Sequence, residues 1–348
     1  TELLSVTDGE VLQLSDEVIA LASSHRVLGL LWTAIDNGVV HGDERLVSRA
    51  SETLSAALRT CLLSEQTAAL AIEALTSVAV EARALKGIAI AHLDHDNPAE
   101  RTFGDADMLI RRSDYGTALS ALERAGFQRV QPPVRGWWEQ RFGKAIVLRS
   151  PSNAELDLHL AITGGYFGTL IDHDELWASP SEAFDLAGLD VRALDLEGRF
   201  LQACCHAVLG GNSGLRALRD IAQLVLISGA DWQVALERAQ RDGYELVLAA
   251  AARSAWTELG LDHEHPFVQW AATCVPDAVQ ERAFAGYQAA KDEGWAPEGR
   301  SVVPALGVLD RARFLAGLAF PSRASMQARN RTWPEHFRQG ASTLLRRD

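Results

Sequence analysis

Apolar positions recur every three to four residues through the first part of the chain, the spacing of one buried helix face. In "SDEVIALASSHRVLGLLWTAID" the spacing follows Ser15-Asp16, a helix-capping pair, and predicts helix. "VSRASETLSAALRTCLLSEQTAALAIEAL" continues it with many alanines. Each such helix has one apolar stripe and must pack on something. The texture changes near Val78. "VAVEARALKG" is β-compatible and ends in glycine, and "IAIAHL" reads as a short helix. "NPAERTFG" is a loop punctuated by Asn97-Pro98 and Gly104, and "DADMLI" predicts a strand. "SDYGTALSALERAGF" predicts a helix between a Ser113-Asp114 cap and a Gly126 stop. "KAIVLRSPSNAELDLHL" is the clearest hairpin, two β-rich runs across a Ser-Pro-Ser-Asn turn.

Helical spacing returns after about Leu194, in "EGRFLQACCHAVLG", "SGLRALRDIAQLVLIS", "DWQVALERAQRDG" and "YELVLAAAARSAWTELG". Arg311 to Arg347 is arginine-rich and reads as a helix followed by a basic tail draped on the surface. The pattern predicts an α+β protein in three parts. Residues 1–76 form an N-terminal helical region, 77–195 an α/β core on a small mixed sheet, and 196–348 a C-terminal helical region with the basic tail.

Composition narrows the function. The 47% apolar and 23% charged residues are those of a folded globular chain, and 348 residues suggest two or three structural units sharing a large core. The net charge of -13 argues against a general grip on DNA or RNA, although it leaves room for a local basic pocket for a nucleotide. Cys61, Cys204, Cys205 and Cys274 show no C-x-x-C spacing and read as small buried apolar residues. With no disulfide framework, a reducing cytoplasm is the expected compartment. The opening "TELLSVTDGEVLQL" reads as neither signal peptide nor anchor, and no apolar run reaches membrane-spanning length.

The candidate chemistry is a set of carboxylates. Asp105 and Asp107 stand two apart at the mouth of a predicted strand and so face one side. In the hairpin, Glu155, Asp157 and His159 share one face and Leu156, Leu158 and Leu160 the other. If both strands join one sheet, three or four carboxylates converge. Two charges about 4 Å apart repel by roughly 4 kcal/mol at an effective dielectric of about 20. Such a cluster takes up a proton or a cation, and Mg²⁺ held by two carboxylates and substrate phosphates is a common solution. Leu85-Lys86-Gly87, upstream, reads as a strand, a glycine turn and a helix N-terminus, which offers free N–H groups to phosphate. A solvated pair of acids at a strand end is the competing reading.

The ordered set Leu85-Lys86-Gly87, Arg101, Asp105-x-Asp107-x-Leu109-Ile110 and Glu155-Leu156-Asp157-Leu158-His159 resembles the polymerase-β-like nucleotidyltransferase superfamily. It most resembles the bacterial uncharacterised nucleotidyltransferase branch, several members of which sit in natural-product gene clusters. "LEGRFLQACCHAVLGGNSGLRALRDIAQLV" is similar to that branch's helical segment. The resemblance implies a metal-binding pair at Asp105 and Asp107, and a third carboxylate, Asp157, for a second metal and the acceptor hydroxyl. Lys86, Gly87 and Arg101 fall on the nucleotide side. His206, Arg216 and Asp220 match later helical positions, with no role specified. It also implies two Mg²⁺, ATP or another NTP as co-substrate, and transfer of a nucleoside monophosphate, AMP from ATP, to a small molecule or peptide in natural-product biosynthesis. The superfamily turn usually reads Gly-Ser. Here Ile88 follows Gly87, so backbone amides, Lys86 and Arg101 are expected to hold the triphosphate. A nucleotidyltransferase-like module that binds without turnover is the alternative. A γ-phosphate transferase ranks below both, since no H-R-D or D-F-G set is present.

His159 is expected beside or behind the site, orienting Asp157. His206 reads equally as a core histidine. Arg216, Arg219 and Asp220 share a helix face and read as a surface ion network, or as an arginine reaching a phosphate. "HLDHDN", "DHDE" and "DHEH" read as loop residues without a ligand scaffold. "RGWWEQRFGK" reads as a packed turn or an acceptor-binding lip, and "ITGGYFG" as a turn or an acceptor loop.

Overall fold

The structure is a computed structural model that describes residues 12–210, 214–293, 302–328, 330 and 332–338. A two-stranded parallel sheet, β1 (Leu12–Gln13) and β2 (Val40–His41), brackets helices α1 (Asp16–Ser24) and α2 (Leu28–Asp36). Ser15 caps α1 as expected, its hydroxyl accepting from the Val18 N–H at 3.2 Å. The single apolar period across "SDEVIALASSHRVLGLLWTAID" is nevertheless broken into two helices, at Arg26, whose φ is 56°. The 33-residue helix α3 (Glu44–Thr76) follows from an Asp43 cap.

The expected α/β texture then appears as β3 (Ala82–Ala84), α4 (Lys86–Leu93), β4 (Ala106–Ile110) and α5 (Tyr115–Arg124). After them come β5 (Gln128–Arg129), α6 (Gly136–Phe142), β6 (Ala145–Arg149) and β7 (Glu155–His159). Short helices α7 (Gly165–Leu170) and α8 (His173–Ala178) lead to a second hairpin, β8 (Glu182–Leu186) and β9 (Leu189–Ala193). Gly126 ends α5 at φ 91°, as read from the sequence. Asp114 makes no capping bond, because a 3₁₀ turn over Arg112–Asp114 already runs into α5. Asp105 precedes the β4 ladder in a bend and does not join it.

Seven strands form one mixed sheet in the order β5-β6-β7-β4-β3-β9-β8. The predicted β6–β7 hairpin is antiparallel, whereas β4 and β7 pair in parallel. Period-two alternation divides the two faces. Ala106, Met108, Ile110, Leu156 and Leu158 face a core shared with Ala68, Ala71 and Leu75 of α3 and with Ala118 and Leu122 of α5. Leu109 joins the opposite core, built by α9 (Leu196–Leu209), α10 (Leu215–Leu226), α11 (Trp232–Asp242), α12 (Glu245–Glu258), α13 (Pro266–Thr273) and α14 (Ala278–Glu293). Cys61, Cys204 and Cys205 are buried and Cys274 is half-buried, with all four reduced.

Two buried ion pairs fasten these C-terminal helices to the sheet layer. Arg199 of α9 grips Asp94 through Nε and Nη2 at 2.9 and 3.0 Å. Arg101 grips Asp220 of α10 at 2.9 and 2.6 Å. Asp220 thus pairs across the fold and not with Arg216 or Arg219, so the surface network read from helical spacing does not form; Arg219 bonds Gln223 instead. The arginine-rich segment forms a helix over Val308–Ala319, which seats Phe314 against Trp138 of α6. Trp138 Nε1 donates to the Phe314 carbonyl at 3.0 Å, so "RGWWEQRFGK" is a packed helical turn. The tail past residue 338 lies outside the described residues. Among the described residues no helix is long and apolar enough to cross a membrane.

Candidate active site

The parallel pairing of β4 with β7 makes Asp107 the register partner of Asp157, and Leu109 that of His159. Because Met108 and Leu158 point into the α3 core, both aspartates and His159 emerge on the other face. The Asp107 carboxylate is 2% exposed and its Oδ1 lies 2.7 Å from His159 Nε2. The Lys86 ammonium also donates to that oxygen, and lies 3.3 Å from His159 Nε2. Lys86 opens α4 directly after β3 at φ 47°, a conformation that costs of order 1–3 kcal/mol for a residue with a side chain. Gly87 follows because nothing larger fits there: a Cβ would stand 2.6 Å from Cβ of Phe103.

The two aspartates titrate in opposite directions. Burial pushes Asp107 up, but Lys86 and the His159 hydrogen bond outweigh it and hold the carboxyl below the usual range. Burial and the charge on Asp107 push Asp157 up to about 6. Burial and Lys86 push His159 down to about 4, so its ring is neutral at physiological pH. His206 is held down at about 3 by burial, then by Lys86 and Arg216, which sets it near this cluster.

Asp157 Oδ1 is buried without a hydrogen-bond partner. One donor atom each from Asp107, Asp157 and His159 lies within 4.8 Å of the others, a group that fits a divalent cation. Among the described residues it is the group of three or more such side chains that does so. Asp105 is half-buried beside it and outside the donor group, acting on Asp157 and Arg101 through its charge. The other acidic and histidine clusters find local partners. His92 lies 2.8 Å from Glu65, His95 lies 3.1 Å from Glu100, Asp172 caps α8 and His265 caps α13.

A cleft of about 820 Å³ opens at Asp157 and His159. It is lined by the turn Thr163–Gly165 and by Arg112, Arg141 and Lys144. "ITGGYFG" is therefore a wall, closed by buried Phe167 and by the Tyr287 hydroxyl, which accepts from the Phe167 N–H at 3.2 Å. Helical spacing gave no hint of Arg112, or of Arg26, whose Nη1 lies 3.7 Å from a Cβ placed on Gly104. Both arginines follow or interrupt runs that read as ordinary secondary structure.

A mixed sheet pairs carboxylates on neighbouring strands beside a strand-to-helix turn, an arrangement that suits the nucleotidyltransferase resemblance of the sequence. Residues 13–257 match the family described as uncharacterised nucleotidyltransferase, and the chain belongs to it. No curated protein matches the chain. A solved structure, an antigenic nucleotidyltransferase-like protein from Paracoccidioides brasiliensis, is 17% identical with a TM-score of 0.32. The match covers 54% of this chain and 90% of that one.

Proposed function

We propose that this protein is a Mg²⁺-dependent nucleotidyltransferase that moves a nucleoside monophosphate, AMP from ATP, onto a small-molecule or peptide acceptor, with the 77–195 core as its catalytic unit. The observation that carries the reading is the Asp107–Asp157 register pair, with an orphaned Asp157 oxygen at the edge of a large cleft. Held by Asp107 and Asp157, with His159 beside them, Mg²⁺ would neutralise the charge of the triphosphate and of the attacking oxygen. Asp105, in the bend before β4, would add its negative charge to the site from outside the donor group. Lys86 and Gly87, at the first turn of α4, receive the phosphates.

The acceptor hydroxyl enters through the cleft. Its oxygen attacks the α-phosphorus, the bond to the bridging oxygen of the β-phosphate breaks, and pyrophosphate leaves. Asp157, whose Oδ1 has no hydrogen-bond partner within the protein, takes the hydroxyl proton. Lys86 and His159 keep Asp107 ionised before the cation and the phosphates arrive.

A second reading, nucleotide binding without turnover, draws support from Lys86, whose ammonium already neutralises Asp107. Pyrophosphate release separates the two. ATP and Mg²⁺ would be incubated with a panel of hydroxyl-bearing small molecules and peptides, alongside Asp157→Asn. Acceptor-dependent pyrophosphate lost in the variant supports transfer. Mg²⁺-dependent ATP binding that never yields pyrophosphate supports the binding module.

A further inference from the structure

We infer that Arg26, Arg101 and Arg216 form a subsite for the polyphosphate chain of the nucleotide, assembled from the α1–α2 elbow, the loop before the paired acids and the first turn of α10. The inference rests on the reading above and draws both helical regions into the site.

The elbow is held in place from several sides. Arg26 sits at φ 56°, a conformation that persists only where its surroundings impose it. The Thr102 hydroxyl donates to the Arg26 carbonyl at 3.3 Å. Nδ1 of the preceding His25 accepts from the N–H of Leu215, the first residue of α10, at 3.4 Å. One short elbow therefore touches both the loop that carries Arg101 and the helix turn that carries Arg216. The Arg26 guanidinium rests over Gly104, immediately before Asp105, with Nη1 3.7 Å from a Cβ placed there.

Arg101 reaches the same region from the loop before the paired acids. Its Nε and Nη2 are spent on Asp220, one turn along α10 from Arg216. Its Nη1 is buried without a partner, on a residue only 3% exposed. That nitrogen stands 3.2 Å from the Cβ position of Gly87, so it is aimed at the first turn of α4. The N–H groups of that turn lack partners within the helix.

The charges do not balance within the protein. Among the described residues, the side chains of Arg26 and Arg216 make no hydrogen bond or ion pair. Burial and the nearby Arg101 charge hold Arg216 down at about 10, and Arg26 adds to the effect against the pull of Asp220. In a chain of net charge -13, carboxylates to pair with them are plentiful. Arg101 and Arg216 instead share the already engaged Asp220 and the half-buried Asp105, and Arg26 adds a third positive charge beside them. What would complete the cluster is a compact ligand of high negative charge, and the planar fork of arginine matches phosphate oxygens.

Inorganic tripolyphosphate, titrated calorimetrically into the full chain, tests the subsite apart from the chemistry. Arg26→Gln and Arg216→Gln are each expected to weaken binding by about tenfold and to flatten its dependence on salt. Arg26→Lys and Arg216→Lys, which keep the charge and lose the fork, are expected to weaken it several-fold and serve where a Gln variant does not fold. Equal binding by the wild type and all variants overturns the subsite, as does a wild type that does not bind. Neither outcome touches the transfer reading, which stands or falls on pyrophosphate release and Asp157.

Discussion

Asp107 and Asp157 are register partners on adjacent parallel strands, yet one is held ionised and the other is pushed up to about 6. The difference comes from what else each touches. Asp107 has the Lys86 ammonium and His159, whereas Asp157 has a buried oxygen with no partner and the charge of Asp107 beside it. A site that holds one carboxylate charged and leaves its neighbour uncompensated is poised for a cation and for proton uptake.

Asp157 therefore weakens the fold in its ionised form. Its folded pKa lies above the ordinary carboxyl value of 3.8, so the native state holds the proton more tightly than the unfolded chain. That contribution is fully present at low pH and is lost as pH rises through about 6, leaving a penalty of at most about 3 kcal/mol. Asp157→Asn is expected to stabilise the protein by roughly 1–3 kcal/mol at about pH 8 and to lose that advantage at about pH 3.5. Thermal unfolding at the two pH values measures it. A variant less stable than wild type at the higher pH contradicts the assignment.

Lys86→Met removes the cation from Asp107. Leaving a buried carboxylate unpaired costs about 3–5 kcal/mol. The variant is expected to unfold at lower temperature without metal and to gain more from added Mg²⁺ or Mn²⁺ than the wild type does. Equal metal-induced shifts in the two proteins would show that Lys86 and the divalent ion do not share a place.

Arg101 and Asp220 form a bidentate pair with both side chains almost fully buried. Arg101→Ala or Asp220→Ala is expected to cost about 3–5 kcal/mol in urea unfolding, because each strands a charge. The double change Arg101→Met/Asp220→Leu is expected to cost less than either single one. If the double variant is the least stable, the pair holds the helices by more than charge compensation.

Gly87→Ala places a Cβ 2.6 Å from that of Phe103. Both atoms are fixed to backbone, so the contact is relieved only by moving α4. A loss of about 1–3 kcal/mol is expected. Weaker tripolyphosphate binding should accompany it, since the first turn of α4 moves with the clash. Unchanged stability would place Phe103 farther from the turn.

Much of the local structure was legible in the residues themselves. The Ser15 cap, the Gly126 stop and the β6–β7 hairpin follow from short-range spacing, because a cap or a period of two is satisfied within a few residues. The same period set Glu155, Asp157 and His159 on one face and the leucines between them on the other. The α1–α2 elbow was not legible: no glycine or proline marks it, and it persists through Thr102 and Leu215, distant in the chain.

By itself the sequence determined which side chains share a strand face and which segments bury an apolar stripe. The tertiary structure alone decided that β4 lies parallel to β7, which turns two separate acids into register partners. It also decided that Asp220 of a C-terminal helix meets Arg101, 119 residues away. Periodicity encodes what a residue does to its near neighbours. Register between distant strands, and the partner of a buried charge, are set only when both sheet faces are covered and every remaining polar group must find its match.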